Sequence, residues 1–157
     1  MNNNLFDKLP LYLKKYKIEK IDSGASKRLF FRIKNNKKSF ICMDSSKEKK
    51  EYYNYIKIHS YLSKTNITVP KIYENYDNFN LLIMEDLGNL RFDKILNNYK
   101  LKNLLSIAVK TLITIKNEIS TEAVITLSPY NFKILKKEIS EIADYYFPFV
   151  NKKKISK

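Results

Sequence analysis

Five short runs rich in β-branched and aromatic residues set the tightest limit on how this chain can fold. The runs are residues 17–22, 29–33, 39–44, 71–75 and 80–84. The connections between the first three are short enough for hairpins, and a turn-like segment joins the last two. Short connections between neighbouring strands favour antiparallel pairing. The sequence therefore predicts one antiparallel sheet of five strands.

Helical periodicity appears before, within and after these runs. Apolar residues recur at spacings of three and four in four segments, which we predict to be helices. They are residues 5–16 with Pro10 near the first turn, residues 47–62 between the third and fourth strands, residues 101–119, and residues 131–147 ended by Pro148. The order β-β-β-α-β-β followed by helices predicts an α+β fold.

Composition excludes several classes of protein. With 157 residues, of which 44% are hydrophobic, the chain can bury a core, so wholesale disorder is excluded. The longest aliphatic run has four residues, 81–84, and the first residues lack a leader pattern. We therefore expect no membrane span. The single cysteine, Cys42, cannot form an internal disulfide, and no Cys/His cluster predicts a zinc site. A cytoplasmic location is expected.

The net charge of +14 comes almost entirely from lysines, which occur from Lys8 to Lys157, whereas only three residues are arginine. A nucleic-acid interface concentrates its basic residues on one face. The spread therefore favours solvated surfaces, and we expect no nucleic-acid partner. Residues 151–157 form a true basic cluster, which we interpret as a solvated end. RNA binding stays open as the least favoured alternative and predicts affinity that falls steeply with salt.

Two segments could bind an anionic ligand. Gly24, Ala25 and Ser26 lie in a turn between two predicted strands, where free backbone N–H groups can cover a phosphate; the alternative is an ordinary hairpin turn. Arg28 and Arg32 follow on the next strand, four residues apart and so on one face. Contact with an anion is favoured there over surface charge because arginine is scarce in this chain.

A second candidate segment follows the fifth strand. Glu85, Asp86 and Leu87 precede Gly88, and the end of the strand leaves backbone groups that could bind an adenine. The alternative is that the two carboxylates simply solvate a turn. His59 is the sole histidine and lies on the apolar face of its predicted helix, so we interpret it as a packed residue and not as a catalyst.

Together these features resemble the first half of the aminoglycoside phosphotransferase and choline kinase superfamily. The local likeness is strongest to bacterial anomeric amino-sugar kinases, which phosphorylate N-acetylmuramate and N-acetylglucosamine in cell-wall recycling. It spans about residues 5–148. The segments that carry it are residues 24–32 (GASKRLFFR), 41–44 (ICMD), 68–73 (TVPKIY), 82–89 (LIMEDLGN), 128–130 (SPY) and 144–146 (DYY).

The resemblance implies a protein-kinase-like small lobe over residues 1–86, a hinge at 87–89, the first helices of a large lobe at 90–148 and a basic tail at 149–157. It also implies that the chain binds ATP. The residues implied to bind it are Gly24, Ala25, Ser26, Arg28, Arg32, Glu85, Asp86 and Leu87. The acceptor would be a sugar or amino sugar, and the complete enzyme would use Mg²⁺.

Two departures from the family limit this expectation. Most of the superfamily places a phosphate-binding lysine on the third strand, and residues 40–44 contain none. The family's His-Gly-Asp catalytic loop and its metal-binding segment also have no counterpart, so we assign no catalytic or metal-binding residue. We therefore expect an N-terminal portion of a kinase, inactive alone, with a missing C-terminal half as a partner. The alternative is a non-catalytic nucleotide-binding or interaction module derived from a kinase.

Overall fold

A computed structural model of the protein describes residues 3–22, 26–95, 100–127 and 129–151. The chain divides into two compact units, Met1–Ile119 and Ser120–Lys157. The first unit contains the sheet, and the second consists of helices in its described part. This division lies downstream of the predicted hinge at 87–89, and the predicted lobe boundaries stay predictions.

The predicted sheet is confirmed. Its strands are β1 (Lys17–Ile21), β2 (Leu29–Lys34), β3 (Ser39–Asp44), β4 (Ile72–Tyr76) and β5 (Leu81–Glu85), in the spatial order β1-β2-β3-β5-β4. Every neighbouring pair is antiparallel. The β2–β3 hairpin is closed by Asn35, whose side-chain oxygen accepts hydrogen bonds from the N–H groups of Lys37 and Lys38. Such local bonding explains why asparagine is common in tight turns.

The β4–β5 hairpin is shifted by one residue from its predicted bounds. A 3₁₀ turn, Asp77–Phe79, extends the connection, and Asn80 ends it with φ +49°. Asparagine tolerates this left-handed conformation better than most residues. A register shift between Ile72 and Glu74 marks an irregularity in β4.

One face of the sheet is covered by the N-terminal segment. The predicted helix over residues 5–16 is wrong in detail, because the segment forms two short helices, α1 (Asn3–Lys8) and α2 (Leu11–Lys14). Pro10 lies between them with extended backbone (ψ 148°), since proline has no N–H to continue a helix. Leu5, Leu9 and Leu13 are nevertheless buried against the sheet in one apolar cluster, as the periodicity required.

The other face is covered by α3 (Lys49–Leu62), which begins two residues later than predicted. Tyr52 is fully buried there with Met43 and Leu82, and its hydroxyl donates to Asp77 at 2.6 Å. α3 covers only part of this face, and a cleft lies over the remainder. The sheet therefore lies between α1–α2 on one side and α3 on the other.

Among the described residues after β5, the regular elements are all helices, as predicted. A short helix α4 (Phe92–Ile95) precedes the long helix α5 (Leu101–Glu118). The Glu118 carboxylate accepts hydrogen bonds from the backbone N–H and side-chain amide of Asn66, at 2.6 and 3.0 Å. This contact holds the end of α5 against the segment that connects α3 to β4.

The second unit contains α6 (Thr121–Thr126), α7 (Phe132–Glu141), a π-helical turn (Ile142–Tyr146) and α8 (Phe147–Asn151). The Asn131 side chain caps α7 by accepting from the N–H of Ile134. The prediction that Pro148 ends the last helix is wrong. Pro148 lies in the first turn of α8, after the π turn, where a missing N–H is tolerated.

No helix in the described part of the chain has both the length and the apolar character required to cross a membrane. The longest of them, α5, has 18 residues and includes lysines at positions 102, 110 and 116.

Leu82→Ala should lower the free energy of unfolding by about 2–5 kcal/mol, because it leaves a cavity in the fully buried centre of the sheet. The matched control is Leu112→Ala on α5, where the side chain is 64% exposed. That change should cost less than about 0.5 kcal/mol. Urea unfolding followed by circular dichroism measures both, and equal losses in the two variants would contradict the assigned core.

Candidate functional site

A bidentate ion pair links the segment after β5 to strand β2. Arg32 lies on β2, and its Nε and Nη2 donate to the two carboxylate oxygens of Asp86 at 2.6 and 2.8 Å. The two side chains are 16% and 9% exposed. This planar, bidentate geometry is the strongest form of a carboxylate–arginine pair. Residues 54 positions apart are therefore held in one fixed arrangement.

Additional hydrogen bonds complete the arrangement, which we call the hinge clamp (Arg32, Ser39, Asp86, Gly88 and Asn89). The Ser39 hydroxyl and the Gly88 N–H both donate to Asp86, at 2.5 and 2.9 Å. Arg32 also donates to the Gly88 carbonyl at 3.0 Å and to the Asn89 side chain. Burial acts to raise the pKa of Asp86, but the bonds from Arg32, Ser39 and Gly88 outweigh it and hold that pKa below its ordinary value.

Gly88 has φ +86°, a left-handed conformation that residues with a Cβ rarely adopt. The conformation lets its N–H reach Asp86 while its carbonyl faces Arg32. The backbone conformation therefore requires a glycine at this point of the hinge clamp. Steric crowding is not the reason, since no atom lies within 4 Å of the position that a Cβ would take.

The hinge clamp forms one wall of a cleft of about 250 Å³ on the α3 side of the sheet. Its floor is apolar and comes from four strands: Ile21, Phe30, Ile41 and Met84. The strand register places Ile21 opposite Phe30 and Ile41 opposite Met84. The walls are Arg32, Tyr55, Pro70, Glu85, Asp86, Leu87, Gly88, Asn89 and Arg91. A flat, mostly apolar group with polar edges fits such a site.

The backbone at the cleft edge offers a hydrogen-bond donor. Within the described part of the chain, the N–H of Leu87 donates to no protein group. Its neighbours are occupied, since the Glu85 N–H donates to the Lys71 carbonyl and the Gly88 N–H donates to Asp86. The Glu85 carboxylate accepts from the Lys71 N–H at 3.1 Å. A ligand in the cleft can therefore bond to the backbone at Leu87 without breaking an existing contact.

A second, smaller hollow of about 190 Å³ lies beside the cleft, between α3 and the segment before β4. Tyr55 and Pro70 line both, so the two are adjacent. Arg28 lies on its wall and donates from Nε to the Ser26 hydroxyl at 3.1 Å. His59 also lies here, with its Nε2 2.8 Å from the Pro70 carbonyl and its ring stacked near Tyr55.

The structure brings most of the sequence-predicted site residues to this region. Arg32, Glu85, Asp86 and Leu87 line the cleft, and Arg28 with Ser26 lies beside it. Gly24 and Ala25 lie outside the described residues. Asp86 does not merely solvate a turn, since its carboxylate is held by the hinge clamp.

One motif residue lies away from the cleft. Asp44, which ends the ICMD segment, is buried toward the opposite face and pairs with Lys8 at 3.4 Å. Sequence reasoning missed Ser39 and Asn89 as members of the hinge clamp, and Ile41 as part of the floor. β3 is apolar at every position from Phe40 to Met43, so its sequence does not show which face Ile41 takes, and nothing local marks Ser39.

Among the described residues, no group of three or more His, Cys, Asp or Glu side chains lies close enough together to hold a metal ion. No protein-family model matches the sequence, and no curated protein matches it.

A double-mutant cycle of Arg32→Met and Asp86→Asn should give a coupling free energy of roughly 1–3 kcal/mol, because the pair is bidentate and largely shielded from water. The control cycle uses Lys34 on β2 and Glu19 on β1, an ion pair whose side chains are 40% and 35% exposed. Its coupling should be much smaller. Urea unfolding measures both cycles, and similar couplings would show that the hinge clamp has no special strength.

Proposed function

We propose that this chain forms the nucleotide-binding lobe of an ATP-dependent phosphotransferase, of the kind that its motifs resemble. The observation that carries the proposal is the cleft on the α3 side of the sheet. The hinge clamp forms one wall of this cleft, and Ile21, Phe30, Ile41 and Met84 form its floor. In the family resemblance, this segment after the fifth strand is the hinge that holds the adenine. The kinase-like assignment of the small lobe belongs to the same proposal.

The cleft suits an adenine ring in size and chemistry. Its volume of about 250 Å³ is slightly below the roughly 300–1,000 Å³ of small-molecule pockets, which restricts an occupant to a single small ring system. The ring faces would contact the apolar floor, and a ring nitrogen would accept a hydrogen bond from the Leu87 N–H. Because the hinge clamp holds the backbone at 86–89 before any ligand arrives, binding would require little reordering.

Phosphoryl transfer requires more than this lobe provides. The reaction needs a carboxylate that positions the acceptor hydroxyl and a metal ion between the terminal phosphates. The sequence contains no His-Gly-Asp motif, and its one histidine, His59, contacts Pro70. The described residues do not fit a Mg²⁺ site, so we derive no step through the metal. The lobe would bind nucleotide, and the catalytic groups and the sugar or amino-sugar acceptor site would come from residues outside this sequence.

A second candidate function is a non-catalytic interaction module derived from the same fold. The observation in its favour is the apolar surface on the helices of each unit. On α5 the exposed residues include Leu105, Leu112 and Ile113, and on the second unit they include Phe132, Tyr145 and Phe149. Large apolar side chains exposed in number on a surface often mark protein interfaces. A module that had lost the nucleotide cleft would bind no nucleotide, so a lack of nucleotide binding would favour it over the kinase lobe.

Adenosine at millimolar concentration should shift the methyl resonances of Ile21, Ile41 and Met84 in the labelled 157-residue chain, because these side chains form the cleft floor. The methyls of Ile33 and Ile83, buried on the opposite face, should not move. Methyl NMR titration measures both groups of signals. Ile41→Ala should weaken binding several-fold by removing floor contacts, whereas Ile107→Ala on the exposed side of α5 should not.

The proposal fails if no floor methyl responds to adenosine, or if the shifts are equal on the two faces of the sheet. In that case the interaction module becomes the favoured function.

A further inference from the structure

The two arginines of the GASKRLFFR segment have different surroundings. Arg32 gives its guanidinium to Asp86, the Gly88 carbonyl and the Asn89 side chain, so its hydrogen-bonding capacity is largely used within the protein. Its positive charge is also neutralised by the Asp86 carboxylate. A ligand anion would have to displace these contacts to bind Arg32. The residue therefore positions the hinge and is a poor partner for a phosphate.

Arg28 has the opposite character. Its Nε donates to the neutral hydroxyl of Ser26 at 3.1 Å, and its guanidinium lies 5.9 Å from the centre of the Phe30 ring. In the described part of the chain it forms no ion pair, and its Nη1 and Nη2 donate to no group. These two contacts orient the Arg28 side chain. They leave the Nη1 and Nη2 groups, which can bind oxyanions, unused among the described residues.

The position of Arg28 is next to the proposed adenine site. It lines the smaller hollow, which shares Tyr55 and Pro70 with the cleft. Burial raises the pKa of Tyr55, and the positive charge of Arg28 opposes that rise, so the guanidinium lies close to this shared wall. Glu51 also faces the hollow, but it accepts a hydrogen bond from Asn54 and forms no ion pair with Arg28.

Other nearby cations are placed differently. The third strand contributes Ile41 to the cleft floor, and Met43, on the same face, is fully buried in the core. Arg91 donates to the Asp22 carbonyl at 3.2 Å. The Nζ of Lys27, the neighbour of Arg28, lies 3.5 Å from Oε1 of Glu48. Arg28 therefore differs from Lys27, whose charge faces Glu48, and from Arg91, which donates to a backbone carbonyl.

We infer that Arg28 binds the phosphates of the nucleotide whose adenine occupies the cleft, and that Arg32 does not. This inference rests on the proposed function. Arg28, which precedes β2 and is not on the strand as predicted, would supply the phosphate contact, since β3 presents no cation to the cleft. A planar guanidinium held by Ser26 and Phe30 can bind two phosphate oxygens at once, which makes it an effective substitute for a lysine point charge.

The test compares ATP, without added metal, with adenosine, using isothermal titration on the 157-residue chain. The wild type should bind ATP more tightly than adenosine. Arg28→Gln should reduce that preference by about tenfold, the loss expected for a charge-assisted hydrogen-bonded contact. It should leave adenosine affinity unchanged, which also shows that the variant is folded. Lys27→Gln removes a neighbouring positive charge that faces Glu48 and should change the preference by less than about twofold.

The possible outcomes separate the two claims. If Arg28→Gln keeps the full preference for ATP, or if Lys27→Gln loses as much as Arg28→Gln, the role of Arg28 is refuted while the adenine cleft stands. If the wild type binds no adenosine, the proposed function fails and this inference fails with it. A loss confined to Arg28→Gln, with adenosine binding retained, supports both.

Discussion

The bidentate pair between Arg32 and Asp86 is the interaction on which the proposed site depends. It joins the centre of β2 to the segment after β5, and the bonds to Gly88 and Asn89 extend that hold along the hinge. Without it, residues 86–89 would be a surface connection with few tertiary contacts. With it, they become a wall whose distance from the sheet is fixed. The cleft therefore exists in the absence of ligand.

A second constraint comes from the sheet itself. A five-stranded sheet with apolar side chains on both faces must be covered on both. The N-terminal helices cover one face through Leu5, Leu9 and Leu13, and α3 covers part of the other through Tyr52. The part that α3 leaves uncovered is bounded by the hinge clamp. A concave apolar surface with a polar edge is the physical result, and that combination is typical of a small-molecule site.

The sequence predicted the sheet well because each strand carries its own signal. β-branched and aromatic runs with short turns between them gave β3 without error and the other strands to within one or two residues. The prolines were harder to place. Pro10 divides a helix that the apolar spacing had predicted as continuous, and Pro148 starts a helical turn that it was expected to end. Around Pro10 the periodicity identifies the buried residues, whereas before Pro148 the apolar residues are exposed. In both cases the backbone path depends on where a missing N–H is tolerated.

Six of the eight predicted site residues lie at the cleft or beside it, but their contacts could not be predicted from the sequence. Arg28 and Arg32 look equivalent in sequence, since they are four apart and were predicted to share one strand face, whereas in the structure Arg28 precedes β2. They differ because Asp86, 54 residues further along the chain, pairs with one of them. Ser39 joins the hinge clamp for the same reason, through the pairing of β3 with β5. Such long-range partners follow from the sheet order, which no local pattern reveals.

The central claim is that the cleft beside the hinge clamp binds adenine. A crystal structure of the 157-residue chain grown with adenosine tests it most directly. The account predicts the ring over Ile41 and Met84, with a ring nitrogen accepting a hydrogen bond from the Leu87 N–H and with Arg32 still bound to Asp86. Adenosine bound elsewhere on the chain, or a hinge that must release Arg32 before the ring can enter, would contradict it.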